Sequence, residues 1–180
     1  MSTIQVVGFD PSLCNWGAAV GTYNVSTGNL TIEKVHVIQP VLSKGKQVRK
    51  NSEDLERAHQ LAVDVLALAR DPHAIFVEVP VGSQSARAMA SYGICVGVLG
   101  ALRASGKAFF EVTPTEVKHI TGNKNATKMD MINWAKGNHP FVEWPASAAK
   151  AEHMADAVAA IHAGLASNPF RQAIPFFKAA

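Results

Sequence analysis

The chain predicts an α/β domain built on a mixed sheet, and three observations carry that prediction. Strand-like runs at residues 4–9, 16–23 and 30–38 follow one another, with turn residues Ser26, Thr27, Gly28 and Asn29 between the last two, so the fold opens with three antiparallel strands. Two more short apolar runs, residues 74–79 and 109–112, are set apart by helical patterns, and strands separated in that way need crossovers of the parallel kind. The 180 residues are 48% hydrophobic and 17% charged, which suits a single folded domain and is too apolar for a disordered chain.

Along the chain, Ser52 stands as a cap before apolar positions Leu55, Ala58, Leu61, Ala62, Val65 and Leu66, whose helical spacing predicts a helix ending near Asp71-Pro72. Residues 85–103 form a long helical pattern rich in small side chains, which predicts a buried or subunit-facing helix. Thr113-Pro114-Thr115-Glu116 is a helix start with proline in the first turn, and another helix begins near Ala126 after a break at residues 122–125. A loop holding Pro140 and Pro145 leads to a last helix at about residues 148–165, ended by Ser167-Asn168-Pro169. Residues 1–167 therefore form the domain. Residues 168–180 form a tail whose Phe170, Phe176 and Phe177 predict packing on the body or on a partner.

Composition narrows the function classes. A net charge of +3 favours an anionic partner without specifying one. Cys14 and Cys95 are too widely spaced for a metal knuckle and read as small buried hydrophobes in a reducing compartment. The start Met-Ser-Thr-Ile-Gln lacks a signal-peptide pattern, and the longest apolar stretch, residues 94–102, is too short to span a membrane, so a soluble intracellular protein is expected.

The chemistry is expected where acids interrupt apolar runs. Asp10 ends Ile-Gln-Val-Val-Gly-Phe, Glu78 lies in Ala-Ile-Phe-Val-Glu-Val, and Asp156 lies in Met-Ala-Asp-Ala-Val-Ala-Ala-Ile. A carboxylate among apolar neighbours needs a metal, an arginine or several donors, although each acid taken alone is as readily a strand end in water or a helix cap. His153 and Asp156, three apart on one helix, share a face and can converge on one ion with strand carboxylates, an oxygen-rich set for a hard divalent cation. Glu152 reads as an exposed reserve ligand, while His59, His119, His139 and His162 read as packed or solvated residues.

Gly-Phe-Asp-Pro-Ser at residues 8–12 with Gly17, Val-Glu-Val-Pro at 77–80, the 85–102 helix with Tyr92-Gly93, Thr115-Glu116-Val117-Lys118, Ala126-Thr127-Lys128 and His153-Met-Ala-Asp-Ala157 follow in one order. That ordered set resembles the RuvC family of Holliday-junction resolvases, from residue 4 to about residue 164. The resemblance implies an RNase H-like sheet of three antiparallel and two parallel strands with helices on both faces, and a homodimer. It carries the catalytic metal ligands over to Asp10, Glu78 and Asp156, puts His153 where many members have aspartate and some histidine, and matches Lys118 and Lys128 to basic positions near the scissile phosphate. Val81 departs from members with an aromatic residue that engages junction bases.

The expected reaction is two-metal hydrolysis with Mg2+, Mn2+ substituting: two ions about 3.5 to 4 Å apart, one activating water and one stabilising the leaving 3′ oxygen, giving a 5′ phosphate. Asp10 would bridge, with Glu78 on one side and Asp156 with His153 on the other; His153 serves alternatively to position the water. Branched DNA would be held by Lys44, Lys46, Arg49, Lys50, Lys118, Lys124 and Lys128, with Arg87 as a further phosphate contact or a helix-surface ion pair. A cytoplasmic setting, in a bacterium or a phage-infected host, suits this compact form. The rival readings are an ATPase-like nucleotide-binding module of the same architecture and a nucleic-acid-binding module without catalysis.

Overall fold

The computed structural model describes residues 3–42 and 49–179; Lys44 and Lys46 lie outside that range. The first strands are β1 (Thr3–Asp10), β2 (Trp16–Asn24) and β3 (Leu30–Ile38), and they are followed by α1 (Lys50–Leu68) and β4 (Ala74–Glu78). Then come α2 (Ala86–Arg103), β5 (Ala108–Val112), α3 (Pro114–His119), α4 (Lys128–Asn138), α5 (Ala148–Ala166) and α6 (Asn168–Ala179). Among the described residues the five strands form one sheet in the order β3-β2-β1-β4-β5. β1 pairs antiparallel with β2 and β2 with β3, while β4 runs parallel to both β1 and β5, so the mixed sheet is as expected.

Side-chain alternation sorts the strands onto two faces. Val7, Phe9, Trp16, Ile75 and Val77 point to α1 and α2 and pack with Leu61, Val65, Val98 and Leu102. Ile4, Val6, Phe76 and Phe110 point the other way, onto Val158 and Ile161 of α5 and Phe170 of α6. Outside α5, α3 and α4 add a further apolar layer through Val117, Met131, Ile132 and Ala135. Helices therefore cover both faces.

Local chemistry moves several expected boundaries. α1 starts at Lys50, because the Ser52 N–H already bonds the Arg49 carbonyl at 2.9 Å, which places Ser52 inside the first turn instead of at the cap. It stops at Leu68, before Asp71-Pro72. α4 starts two residues after Ala126, where Thr127 and Asp130 form a reciprocal capping box; Thr113 and Glu116 do the same for α3. The tail is helical: Pro169 sits in the first turn, where its missing N–H costs nothing, and fully buried Phe170 seals the core edge-on to Tyr23 and Phe110.

Cys95 is buried as expected, but Cys14 is exposed, with the Arg57 guanidinium 3.5 Å from its sulfur. Among the described residues no helix is long and apolar enough to cross a membrane.

Candidate active site

Asp10 and Glu78 end neighbouring parallel strands. Phe9 pairs with Val77 in the β1–β4 register, so the next residue of each strand, Asp10 and Glu78, emerges side by side at the carboxyl edge of the sheet. The two-residue period puts both on the α5 face: Ile4 and Val6 precede Asp10 there, and Ala74 and Phe76 precede Glu78. That edge is where parallel sheets place ligands.

α5 lies against this corner because two glycines let it. A methyl on Gly8 would fall 2.3 Å from the Ala157 carbonyl oxygen, and one on Gly17, the β2 partner of Asp10, would fall 1.9 Å from the His153 carbonyl oxygen. Helix backbone thus rests on strand backbone, and His153 and Asp156, one turn apart, hang over the acids. His153 Nδ1 and Asp10 Oδ2 share a hydrogen bond of 2.6 Å. Asp10, Glu78, Glu152, His153 and Asp156 line one cleft of about 280 Å³, walled by Pro80, Val81, Gly82, Tyr92 and Pro114. All four acids and the histidine singled out from the sequence are brought together.

The electrostatics are those of a site short of positive charge. Burial raises the Asp10 carboxyl even though His153 opposes that rise. Burial together with the Asp10 charge pushes Glu78 up to about 7, with Lys118 pulling the other way. Burial and the charges of Asp10, Glu78 and Glu152 push Asp156 up to about 8. The hydrogen bond to Asp10 raises His153. Carboxylates that hold their protons this tightly are asking for a cation.

The donor set, carboxylate oxygens with one imidazole, fits a hard divalent ion such as Mg2+ or Mn2+. Among the described residues no three such side chains already converge on a single point, and Asp10 is engaged by His153.

The basic candidates divide into two groups. Lys118 lies within the field of Glu78, and exposed Lys128 binds Glu152 across the rim at 2.7 Å while feeling Asp156 and Asp10. Lys124 is exposed on the loop between α3 and α4. Arg87 points elsewhere: its guanidinium binds Asp54 of α1 in a two-pronged pair, one arm at 2.8 Å, and that pair holds Asp54 below the usual carboxylate range. The ion-pair reading of Arg87 is the one observed. Arg49 is exposed at the start of α1, and Lys50 pairs with Glu53 at 2.9 Å.

Two features depart from the sequence reading. Glu152, the reserve ligand expected to be exposed, lines the cleft with its side chain only 18% exposed; its place four residues before Asp156 is the signal for that. Asp54 is buried beneath Arg87, and no sequence pattern marked it.

No family model matches the chain, and no curated protein sequence matches it either. Its structure is similar to that of Thermus thermophilus RuvC in complex with Holliday junction substrate, with a TM-score of 0.64 and 22% identity over 91% of this chain and 94% of that one. It is also similar to the fowlpox virus Holliday junction resolvase, with a TM-score of 0.56 and 12% identity over 90% of this chain and 97% of that one. These likenesses establish a RuvC-type, RNase H-like fold.

Proposed function

We propose that this protein is a divalent-metal-dependent endonuclease that cuts branched DNA of the Holliday-junction class, leaving 5′ phosphate and 3′ hydroxyl ends. The observation that carries the reading is the gathering of Asp10, Glu78, Asp156 and His153 in one cleft at the carboxyl edge of β1 and β4. An acid cluster of this kind repels a phosphodiester unless cations stand between them. The similar structures are of junction resolvases, which favours branched DNA over other phosphate esters.

Asp10, Glu78, Asp156 and His153 would hold Mg2+ or Mn2+, two ions per cleft. When bound, the ions supply the Lewis acidity that makes water nucleophilic near neutral pH and neutralise charge on the phosphate. The protein's own groups do the rest. Lys118 and Lys128 flank the acids and meet phosphate oxygens as point charges. His153, held by Asp10 through Nδ1, lines the cleft and would orient water or metal there through its imidazole. Pro80, Pro114 and Tyr92 stand along the wall of the cleft. Lys124 extends the basic margin, and Arg49, Lys44 and Lys46 are further candidates for backbone contact.

A homodimer would give two such clefts for opposed strands of a symmetric junction. Support comes from the α1–α2 face. A methyl at Gly93, Gly97 or Gly100 would meet nothing within 4 Å, so packing inside the chain does not require these glycines. Gly97 also lines an apolar groove of about 630 Å³ with Leu55, Ala58, Ala62, Ala90, Ile94 and Ala101, where Leu55 is 71% exposed. Leu55→Lys is expected to yield monomers by sedimentation; an unchanged dimer, or a monomeric wild type, would remove this part of the reading.

The reading as a whole is tested with a labelled four-way junction, flap, duplex and RNA–DNA hybrid at matched concentration with Mg2+ or Mn2+. Cleavage of the junction by the wild type and none by Asp10→Asn is expected. Undiminished cutting by Asp10→Asn would overturn the assignment.

A further inference from the structure

Lys128 and Glu152 are unequal partners. The lysine side chain is 79% exposed at the start of α4, whereas the glutamate is 18% exposed on the cleft wall of α5, and they meet at 2.7 Å. Stability gives little reason for the pair, since an ion pair with one partner in water contributes about 0–1 kcal/mol. Glu152 also makes its surroundings worse: its charge adds to those that already oppose ionisation of Asp10 and Asp156. An acid that adds repulsion to an overcharged cleft, with so small a return in stability, needs another reason to be there.

What Glu152 achieves is placement. The root of Lys128 is fixed by the Thr127–Asp130 capping box, whose hydroxyl–carboxylate bond is 2.8 Å. Between that root and the ammonium lie four flexible methylenes, which in water would sweep a wide arc. The Glu152 carboxylate pins the far end at the rim, where its charge reaches both Asp156 and Asp10. We infer that Glu152 is a positioning residue that holds the Lys128 ammonium over the cleft to receive a non-bridging oxygen of the DNA phosphate being cut. The inference rests on the endonuclease reading above.

Charge alone and placement predict opposite outcomes for Glu152→Gln. Removing a negative charge from the cleft should favour DNA, so junction affinity measured without divalent ions is expected to stay the same or tighten. Lost placement should slow the single-turnover cleavage rate about tenfold, a coupling typical of contacting residues. In a Lys128→Met background, with no ammonium to place, Glu152→Gln should change the rate less than about twofold. Glu152→Asp, which keeps the charge on a shorter arm, should recover part of the rate.

A rate that is unchanged or faster in Glu152→Gln overturns the inference, as does an equal loss in both backgrounds. A higher Mg2+ concentration for half-maximal binding in Glu152→Gln, followed calorimetrically without DNA, overturns it in favour of Glu152 as a metal ligand. Thermal melting confirms that each variant is folded. A wild type that cuts no branched DNA defeats the endonuclease reading itself, whereas wild-type cutting with additive losses defeats only the role given to Glu152.

Discussion

The two ends of α5 carry ionisable side chains in opposite conditions. At its amino end, Glu152, His153 and Asp156 crowd against Asp10 and Glu78, and burial with like charge pushes Glu78 to about 7 and Asp156 to about 8. Toward its carboxyl end, His162 meets His139 of the α4 terminus with 2.9 Å between their Nε2 atoms, and Trp134 stands edge-on to the His162 ring. Burial lowers both histidines, His162 to about 4, so the pair is neutral near pH 7 and joined by one shared N–H. One end is held short of its electrostatic optimum and the other is satisfied. A fold that tolerates the first must be anchored by elements like the second, which is how a cleft for chemistry is kept open at a cost in stability.

The sharpest way to break this contrast is at the acids. Asp10→Asn is expected to reduce junction cleavage by about 10³-fold or more, the scale of several kcal/mol set by metal-assisted phosphoryl chemistry. His162→Phe, at the other end, should leave the cleavage rate within about twofold, since that ring touches nothing in the cleft. Equal losses from the two variants would erase the distinction.

Glycine substitutions probe how each end is seated. Gly17→Ala drives a methyl to 1.9 Å from the backbone oxygen of His153, and strand and helix backbone cannot both yield; a loss of about 3 kcal/mol or more in denaturant unfolding is expected. Gly164→Ala meets the Phe76 ring at 2.1 Å, a side chain in a tight aromatic cluster, and should cost less, about 1–3 kcal/mol. The reverse order would mean that the aromatic cluster, not the catalytic corner, fixes the helix.

The two ends also predict opposite pH slopes for the metal-free protein. Glu78 and Asp156 have folded values above their unfolded ones, so the folded state holds extra protons, and stability falls as pH rises from about 4 through about 8. His139 and His162 have folded values below 6.5, so their contribution is present above 6.5 and is lost as pH falls toward about 4. Urea titrations across pH should therefore show Glu78→Gln more stable than wild type by about 1–3 kcal/mol at pH 8 without metal, with the gain vanishing near pH 4. Saturating Mg2+ should erase the gain as well. A constant difference at all pH values would show that Glu78 titrates normally.

The strands and the acids that end two of them were legible because their signals are local. The β-rich run of residues 4–9 announces a strand, and Asp10 is conspicuous as the acid that closes it. The His153–Asp156 spacing likewise needs only the helical repeat. What escaped depends on contacts between distant segments. Glu152 looked solvated because nothing near it in sequence announces Lys128, which α4 brings over the cleft. His139 and His162, 23 residues apart, become a pair only when α4 packs on α5. For Arg87 the sequence left a phosphate contact and an ion pair both open, and only the packing of α2 on α1 names Asp54 as its partner. The tail's helix was hidden by its prolines, one harmless in the first turn and the other, Pro175, inside the helix.

Seating α5 directly on strand backbone has one further consequence. Because Gly17 leaves no side chain beneath residue 153, the helix backbone at that position rests directly on strand backbone. A shorter or longer ligand at 153 then changes only how far its tip extends, with no need to respace helix and sheet. An aspartate exchanged for His153 would start from the same origin, so the identity of the donor atom is open to variation on a platform whose dimensions do not change.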